Sequence, residues 1–270
     1  MTEAPCGSPF EGRVIFVLGS RRTGTTWLQE LLVAHPAIAG VPPVEVEPGS
    51  IDPREPVIMG ALEEFWRNAH DAEGEGVPAY LEGDEIIAVM RRFCDSLFTR
   101  ARDAYKPGAV WFVEKSPSNT KRLPLITSVY RDAWFISVVR DGRDAVRSLM
   151  DTPMAPLTVS EAAAEWVTAL DDLQRYRHLF RRFRQVRYEA MLQDPVGAAV
   201  GLFEWLGLEC SDEILSAVEE RSKREVARYG VTGPIGSGKW MALPPHERAK
   251  IVDIAGDWLA ELGYIDLGSS

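Results

Sequence analysis

The chain has 270 residues, 46% apolar and 26% charged, with 22 Gly and 18 Pro, values that exclude collagen, coiled coil and wholesale disorder. Thirty basic against 40 acidic residues give a net charge of −10, which argues against a protein built to coat nucleic acid or an anionic membrane. Cys6, Cys94 and Cys210 are odd in number and far apart, and His35, His70, His178 and His246 lack ligand spacing, so neither a disulfide framework nor a metal site is expected.

Read in chain order, short β-rich runs alternate with longer amphipathic segments. The opening 20 residues lack a charged region followed by a long apolar core, and no apolar run approaches a membrane span, so a cytoplasmic enzyme is the expectation. A strand is predicted over Arg13 to Leu18, then a helix from Thr25 to Ala34 that His35-Pro36 ends. Residues 41 to 85 carry twelve acids and two bases, which accounts for the whole net charge and leaves 28 of each sign elsewhere. Interrupted by Pro and Gly, this stretch reads as a loop-rich acidic insert or lid with a short helix near Ala61 to Ala69. Its Phe65, Trp66 and Tyr80 suit an aromatic or cationic small molecule, and a solvated lid explains the same charges.

A long helix follows from Asp84 to Tyr105, stopped by Pro107-Gly108, and then strands at Val110 to Val113 and Trp134 to Val139. Gly142 to Met150 is helical, and Ser160 is the expected N-cap of a helix running through Trp166, Leu170, Leu173 and Phe180. A buried strand over Gln185 to Tyr188 and helices over Val196 to Leu206 and Pro245 to Leu262 complete the pattern. The sum predicts one α/β domain, residues 1–270, built on a P-loop-like, doubly wound parallel sheet flanked by helices. No exposed apolar stripe marks an oligomer interface.

Three segments carry chemistry. VIFVLGSRRTGTTWLQELL reads as strand, turn and helix, with Gly19 and Gly24 spaced as in a phosphate-binding loop whose backbone N–H groups face an anion. Thr25 stands where a nucleoside-triphosphate enzyme keeps its lysine, while Arg21 and Arg22 put positive charge into the loop itself. GPIGSGKW, Gly233 to Trp240, has glycine spacing and Lys239 but no preceding strand, and Trp240 replaces the magnesium-holding Ser or Thr; it reads as an anion-contacting loop or a solvent linker. WFISVVRDGRDAVRSLM delivers Arg140 at the end of a buried strand, where open α/β sheets bind ligands, with Ser148 on the following helix. Arg143 and Asp144 read equally well as a surface salt-bridge set.

Together, RRTGTTW and RDGRDAVRS resemble the 5′-phosphosulfate loop and the 3′-phosphate motif of sulfotransferases that use 3′-phosphoadenosine 5′-phosphosulfate (PAPS). EKSP at Glu114 to Pro117 and VRYEAM at Val186 to Met191 are similar to elements of the carbohydrate and protein-tyrosine branches, and GSGKW is similar to their closing loop. The resemblance implies that Arg22, Thr23, Gly24, Thr25 and Thr26 hold the 5′-phosphosulfate and that Arg140 and Ser148 hold the 3′-phosphate. Tyr188, Ser237 and Lys239 are implied as further nucleotide contacts, and Lys115 as the lysine beside the transferring group. Pro117 occupies the place of the small-molecule branch's histidine base, so a glutamate base is implied: Glu45, with Glu47 the alternative.

The implied reaction is metal-free, in-line transfer of SO₃ to a hydroxyl of an acceptor, expected to be a small molecule, leaving 3′-phosphoadenosine 5′-phosphate (PAP). Two alternatives remain. One is a P-loop kinase, such as a nucleotide or adenylyl-sulfate kinase, against which the absent loop lysine counts. The other is a catalytically silent nucleotide-binding module.

Overall fold

A computed structural model describes residues 8–41, 58–69, 77–152, 157–228 and 238–266. Five parallel strands form one sheet: β1 (Val14–Leu18), β2 (Ile38–Gly40), β3 (Trp111–Lys115), β4 (Trp134–Val139) and β5 (Arg182–Arg187), in the order β2-β3-β1-β4-β5. β1 is central and fully buried, with Val17 beside Lys115 of β3 and Leu18 beside Ser137 of β4. The chain winds out from β1 to one edge and then, through β4, to the other, which is the doubly wound arrangement the alternating pattern predicts.

Side-chain alternation along the strands supplies both faces. Val14, Phe16, Phe112 and Phe135 enter one apolar layer with helix α3 (Gly83–Tyr105) and α4 (Leu123–Val129). Ile15, Val17, Val113 and Ile136 enter the other with α1 (Thr25–Leu32) and α8 (Pro195–Leu206). A third cluster joins α5 (Gly142–Met150), α6 (Val159–Tyr176) and α10 (Pro245–Glu261) around Trp166 and Ile251. Burying such side chains stabilises the fold by about 1.5–3 kcal/mol each.

Most expected elements appear close to their predicted bounds, and the departures have local causes. α6 opens at Thr158 and not at Ser160, because Thr158 and Glu161 form a reciprocal capping box: Glu161 N donates to Thr158 Oγ1 at 3.3 Å, and Thr158 N donates to Glu161 Oε2 at 2.8 Å. The last strand runs over Arg182–Arg187 and is exposed along most of its length, as an edge strand rather than a buried one. The acidic insert contains α2 (Ile58–Ala69). There Phe65 and Trp66 pack partly buried against the core and only Tyr80, at 85% exposure, faces solvent, so the first two are committed to packing. Also present are β2, α4, α7 (Tyr188–Gln193) and α9 (Asp212–Arg228).

Candidate active site

The parallel sheet sends β1, β3, β4 and β5 to the same edge, so the segments that follow them meet there: residues 19–24, Lys115, Arg140 and Tyr188. The β1–α1 loop is tight enough to demand its glycines. Gly19 sits at φ 148, and a Cβ there would lie 2.8 Å from the Val138 carbonyl oxygen. Gly24 sits at φ 100, and a Cβ there would lie 2.3 Å from Cδ2 of Tyr188. Arg22 adopts φ 67 without being glycine, a strained conformation of the sort that clusters at ligand-binding turns. Thr23 Oγ1 closes the loop by donating to the Ser20 carbonyl at 2.7 Å.

This loop suits an anion. The N-terminus of α1 has no side-chain cap and no acidic residue in its first turn, which leaves its amides available to a ligand among the described residues. Ser20 Oγ is buried without a hydrogen-bond partner among the described residues. Arg22 Nε donates to Ser148 Oγ on α5 at 3.0 Å, and Arg140 Nη1 donates to the Arg22 carbonyl at 2.9 Å. The Arg140 guanidinium also lies 4.5 Å over the Tyr188 ring, while Tyr188 meets Trp27 edge-on at 5.7 Å. The loop is tied outward by Arg21, whose Nε and Nη2 donate to Glu165 of α6 at 2.7 and 2.6 Å.

Around this centre the structure brings together Arg22, Thr23, Gly24, Thr25, Thr26, Arg140, Ser148 and Tyr188. Lys115 ends β3, half-buried beside Val17 of β1. Its neighbour Glu114 is buried and accepts from Asn119 Nδ2. The acidic insert approaches this side, since Gln29 Nε2 donates to the Val41 carbonyl at 2.5 Å and Arg122 Nε donates to Glu63 of α2 at 2.8 Å. Glu63 is held below the usual carboxylate range: its burial opposes this, and Arg67 and Arg122 outweigh it. Glu45, Glu47 and Ser237 lie outside the described residues.

Several supporting residues escape a reading of the sequence. Arg143 and Asp144 do not pair with each other. Arg143 Nη2 reaches Asp141 at 2.7 Å, and Asp144 accepts the backbone N–H groups of Gly238 and Trp240. Glu189 accepts from Asp141 N at 2.9 Å and from the Tyr264 hydroxyl at 3.1 Å. Burial and the Glu189 carboxylate push the Tyr264 hydroxyl well above its usual range, so it stays a donor. Arg143 and Asp144 had a local signal in RDGRD, and Glu189 lies within VRYEAM, but the partners of Asp144, Glu165 and Glu189 are reached across long sequence separations.

Fold and loop define a P-loop-like α/β protein whose β1–α1 loop carries Arg21 and Arg22, with Thr25 where a triphosphate-binding loop keeps its lysine. A model of the sulfotransferase family matches residues 14–212, and the chain belongs to that family. It is similar to the nodulation protein NoeE of Sinorhizobium fredii, at 27% identity over 93% of this chain and 66% of that protein. It is also similar to protein-tyrosine sulfotransferase 1 of Danio rerio, at 22% identity over 93% of this chain and 72% of that protein. The chain thus spans roughly two thirds of the length of these relatives. Among solved structures, the sulfotransferase domain from the curacin biosynthetic pathway shares the fold with a TM-score of 0.56 at 15% identity, over 91% of this chain and 97% of that one. Mouse sulfotransferase SULT7A1 complexed with PAP does so with a TM-score of 0.53 at 12% identity, over 94% of this chain and 87% of that one. Among the described residues no helix is long and apolar enough to cross a membrane.

Proposed function

We propose that the protein transfers the sulfuryl group of PAPS to a hydroxyl of an acceptor. The observation that carries this reading is the junction of the β1–α1 loop with the Arg140 and Ser148 segment, through Arg22, at the carboxyl edge of a parallel sheet. Arg22, Thr23, Gly24, Thr25 and Thr26 hold the 5′-phosphosulfate. Arg140 and Ser148 hold the 3′-phosphate, and Tyr188, Ser237 and Lys239 add nucleotide contacts. The donor supplies an SO₃ group joined to a phosphate leaving group.

In this scheme Glu45 takes the acceptor proton as general base, and Glu47 is the alternative. The acceptor oxygen forms its bond to sulfur as the bond from sulfur to the bridging oxygen breaks, and PAP departs with that electron pair. Arg22 and Lys115 neutralise the charge that builds on the sulfuryl and bridging oxygens. Most of the catalysis is positioning and electrostatics, as in phosphoryl transfer. The sulfuryl group carries less charge than a γ-phosphoryl group, so the reaction proceeds without a metal ion.

The acceptor is a small molecule in the first reading. A peptidyl tyrosine is the second, favoured by the likeness to protein-tyrosine sulfotransferases. The test is turnover of labelled PAPS against alcohols, phenols and tyrosine peptides, with wild type, Glu45→Gln, Glu47→Gln and Lys115→Ala. Label transfer by wild type that collapses in Glu45→Gln supports the scheme, and full activity in that variant removes Glu45 as base. PAP binding without transfer to any acceptor leaves the silent nucleotide module, and magnesium-dependent phosphoryl transfer from ATP leaves the kinase.

A further inference from the structure

We infer that Asp144 is a positioning residue that fixes the backbone on either side of Lys239 so that this lysine can meet the nucleotide, an inference that rests on the donor-binding role proposed for Lys239. Asp144 stands in the first turn of α5, four positions after Arg140, and is 1% exposed. Each of its carboxylate oxygens accepts one backbone N–H: Gly238 N reaches Oδ2 at 2.8 Å, and Trp240 N reaches Oδ1 at 3.2 Å. These are the amides flanking Lys239, whose own side chain is exposed. The carboxylate therefore holds the residue by its neighbours and leaves the ammonium to a ligand.

Two further contacts shape the same turn. Gly238, at φ 96, starts the 3-10 turn Lys239–Ala242, and the Arg143 guanidinium lies 4.3 Å over the Trp240 ring. The arrangement is costly. Burial works against the Asp144 charge and leaves its pKa raised, even though the two amides and Arg140 favour the anion. A side chain on the turn itself would satisfy its amides without burying a carboxylate. What the Asp144 carboxylate adds is a tie to α5, the helix that follows Arg140 and carries Ser148, so that Arg140, Ser148 and Lys239 share one rigid support.

The test is PAP binding by calorimetry to the full chain in wild type, Lys239→Ala, Asp144→Asn and the double variant. Asparagine keeps the shape but turns an N–H toward one of the two amides. Each single change is expected to weaken PAP about tenfold, the order set by one lost charge-assisted hydrogen bond, and the double variant to bind no more weakly than the worse single. Wild-type affinity in Asp144→Asn, or losses that multiply in the double variant as a purely structural role would make them, overturns the inference. Should Asp144→Asn fail to fold, Gly238→Ala replaces it, because that Cβ would sit at φ +96 and 3.2 Å from Met241 Cε. Its expected PAP loss is again about tenfold and vanishes in the Lys239→Ala background, and an unchanged affinity overturns the inference. Wild type that does not bind PAP defeats the donor reading and this inference with it, whereas failure of the Asp144 arm alone leaves wild-type binding intact.

Discussion

Arg22 Nε donates to Ser148 Oγ at 3.0 Å across 126 positions of sequence, and the carbonyl of the same arginine accepts from Arg140 at 2.9 Å. The β1–α1 loop and the Arg140 segment are thus one connected structure, and Arg22 is the link. Replacing Arg22 by Ala is expected to lower kcat about 10²- to 10³-fold, the scale of one lost transition-state donor. Because Arg22 and Ser148 share a hydrogen bond, Arg22→Ala with Ser148→Ala is expected to cost less than the product of the two single effects. Steady-state kinetics of the four proteins against PAPS checks this, and strictly multiplicative losses count against the link.

Gly24 leaves no room for a side chain. Its φ of 100 and the 2.3 Å approach of a Cβ to the Tyr188 ring predict that Gly24→Ala distorts the loop and displaces the ring from Arg140. PAP affinity is expected to fall at least tenfold, in keeping with a strain of about 1–3 kcal/mol. In the Tyr188→Ala background, where the clash and one proposed nucleotide contact are already gone, calorimetry is expected to show Gly24→Ala still weakening PAP, but by less than in wild type. No further loss on adding Gly24→Ala to Tyr188→Ala would mean that φ contributes nothing.

The legible part of this molecule is the part specified by short-range chemistry. The strand Trp134–Val139 and the helix Gly142–Met150 follow from an apolar run broken only by Ser137 and from the Asp141 side chain capping the next turn. The β1–α1 loop is legible because its glycines, arginines and threonines stand within eight positions. β2, at three residues, is too short to display an alternation. α9 is polar along most of its length and is supported by pairs such as Glu219 with Lys223 at 2.6 Å, so its apolar periodicity is weak. β5 is an edge strand in which Arg182 and Arg184 lie over Trp134 and Trp205, aromatic partners that its own sequence does not reveal. Within the site, Glu165 and Glu189 work through Arg21 and Asp141, contacts that exist only after folding.

Magnesium dependence separates sulfuryl from phosphoryl transfer. Thr25 takes the position where a triphosphate enzyme keeps its lysine. Turnover of PAPS is expected to be the same in EDTA as with added magnesium, measured by PAP release. A rate that collapses in EDTA and returns with magnesium points to the kinase class.

Acid stability tests the ion cluster beneath the sheet. Asp132 accepts from Arg91 Nη1 at 3.0 Å and from the Gly12 backbone N–H, and Arg91 is itself held 4.1 Å over the Tyr130 ring. Burial of Asp132 would raise its pKa, but the Arg91 and Gly12 donors outweigh it and hold the carboxyl below its usual range. A folded-state pKa below the unfolded one means that the carboxylate stabilises the fold fully above the unfolded value, about 4, and loses that contribution as pH falls through the folded value. Asp132→Asn keeps the side-chain shape and one acceptor but removes the charge, so it is expected to destabilise by about 1–3 kcal/mol at pH 7. Urea unfolding of both proteins from pH 7 to 3 is expected to show this gap narrowing only below about pH 4, where the unfolded chain's carboxyl takes up its proton while the folded one still resists it. No gap at pH 7, or a gap that stays constant down to pH 3, would mean that the Asp132 charge contributes nothing and that Arg91 is held by Tyr130 and Asp95.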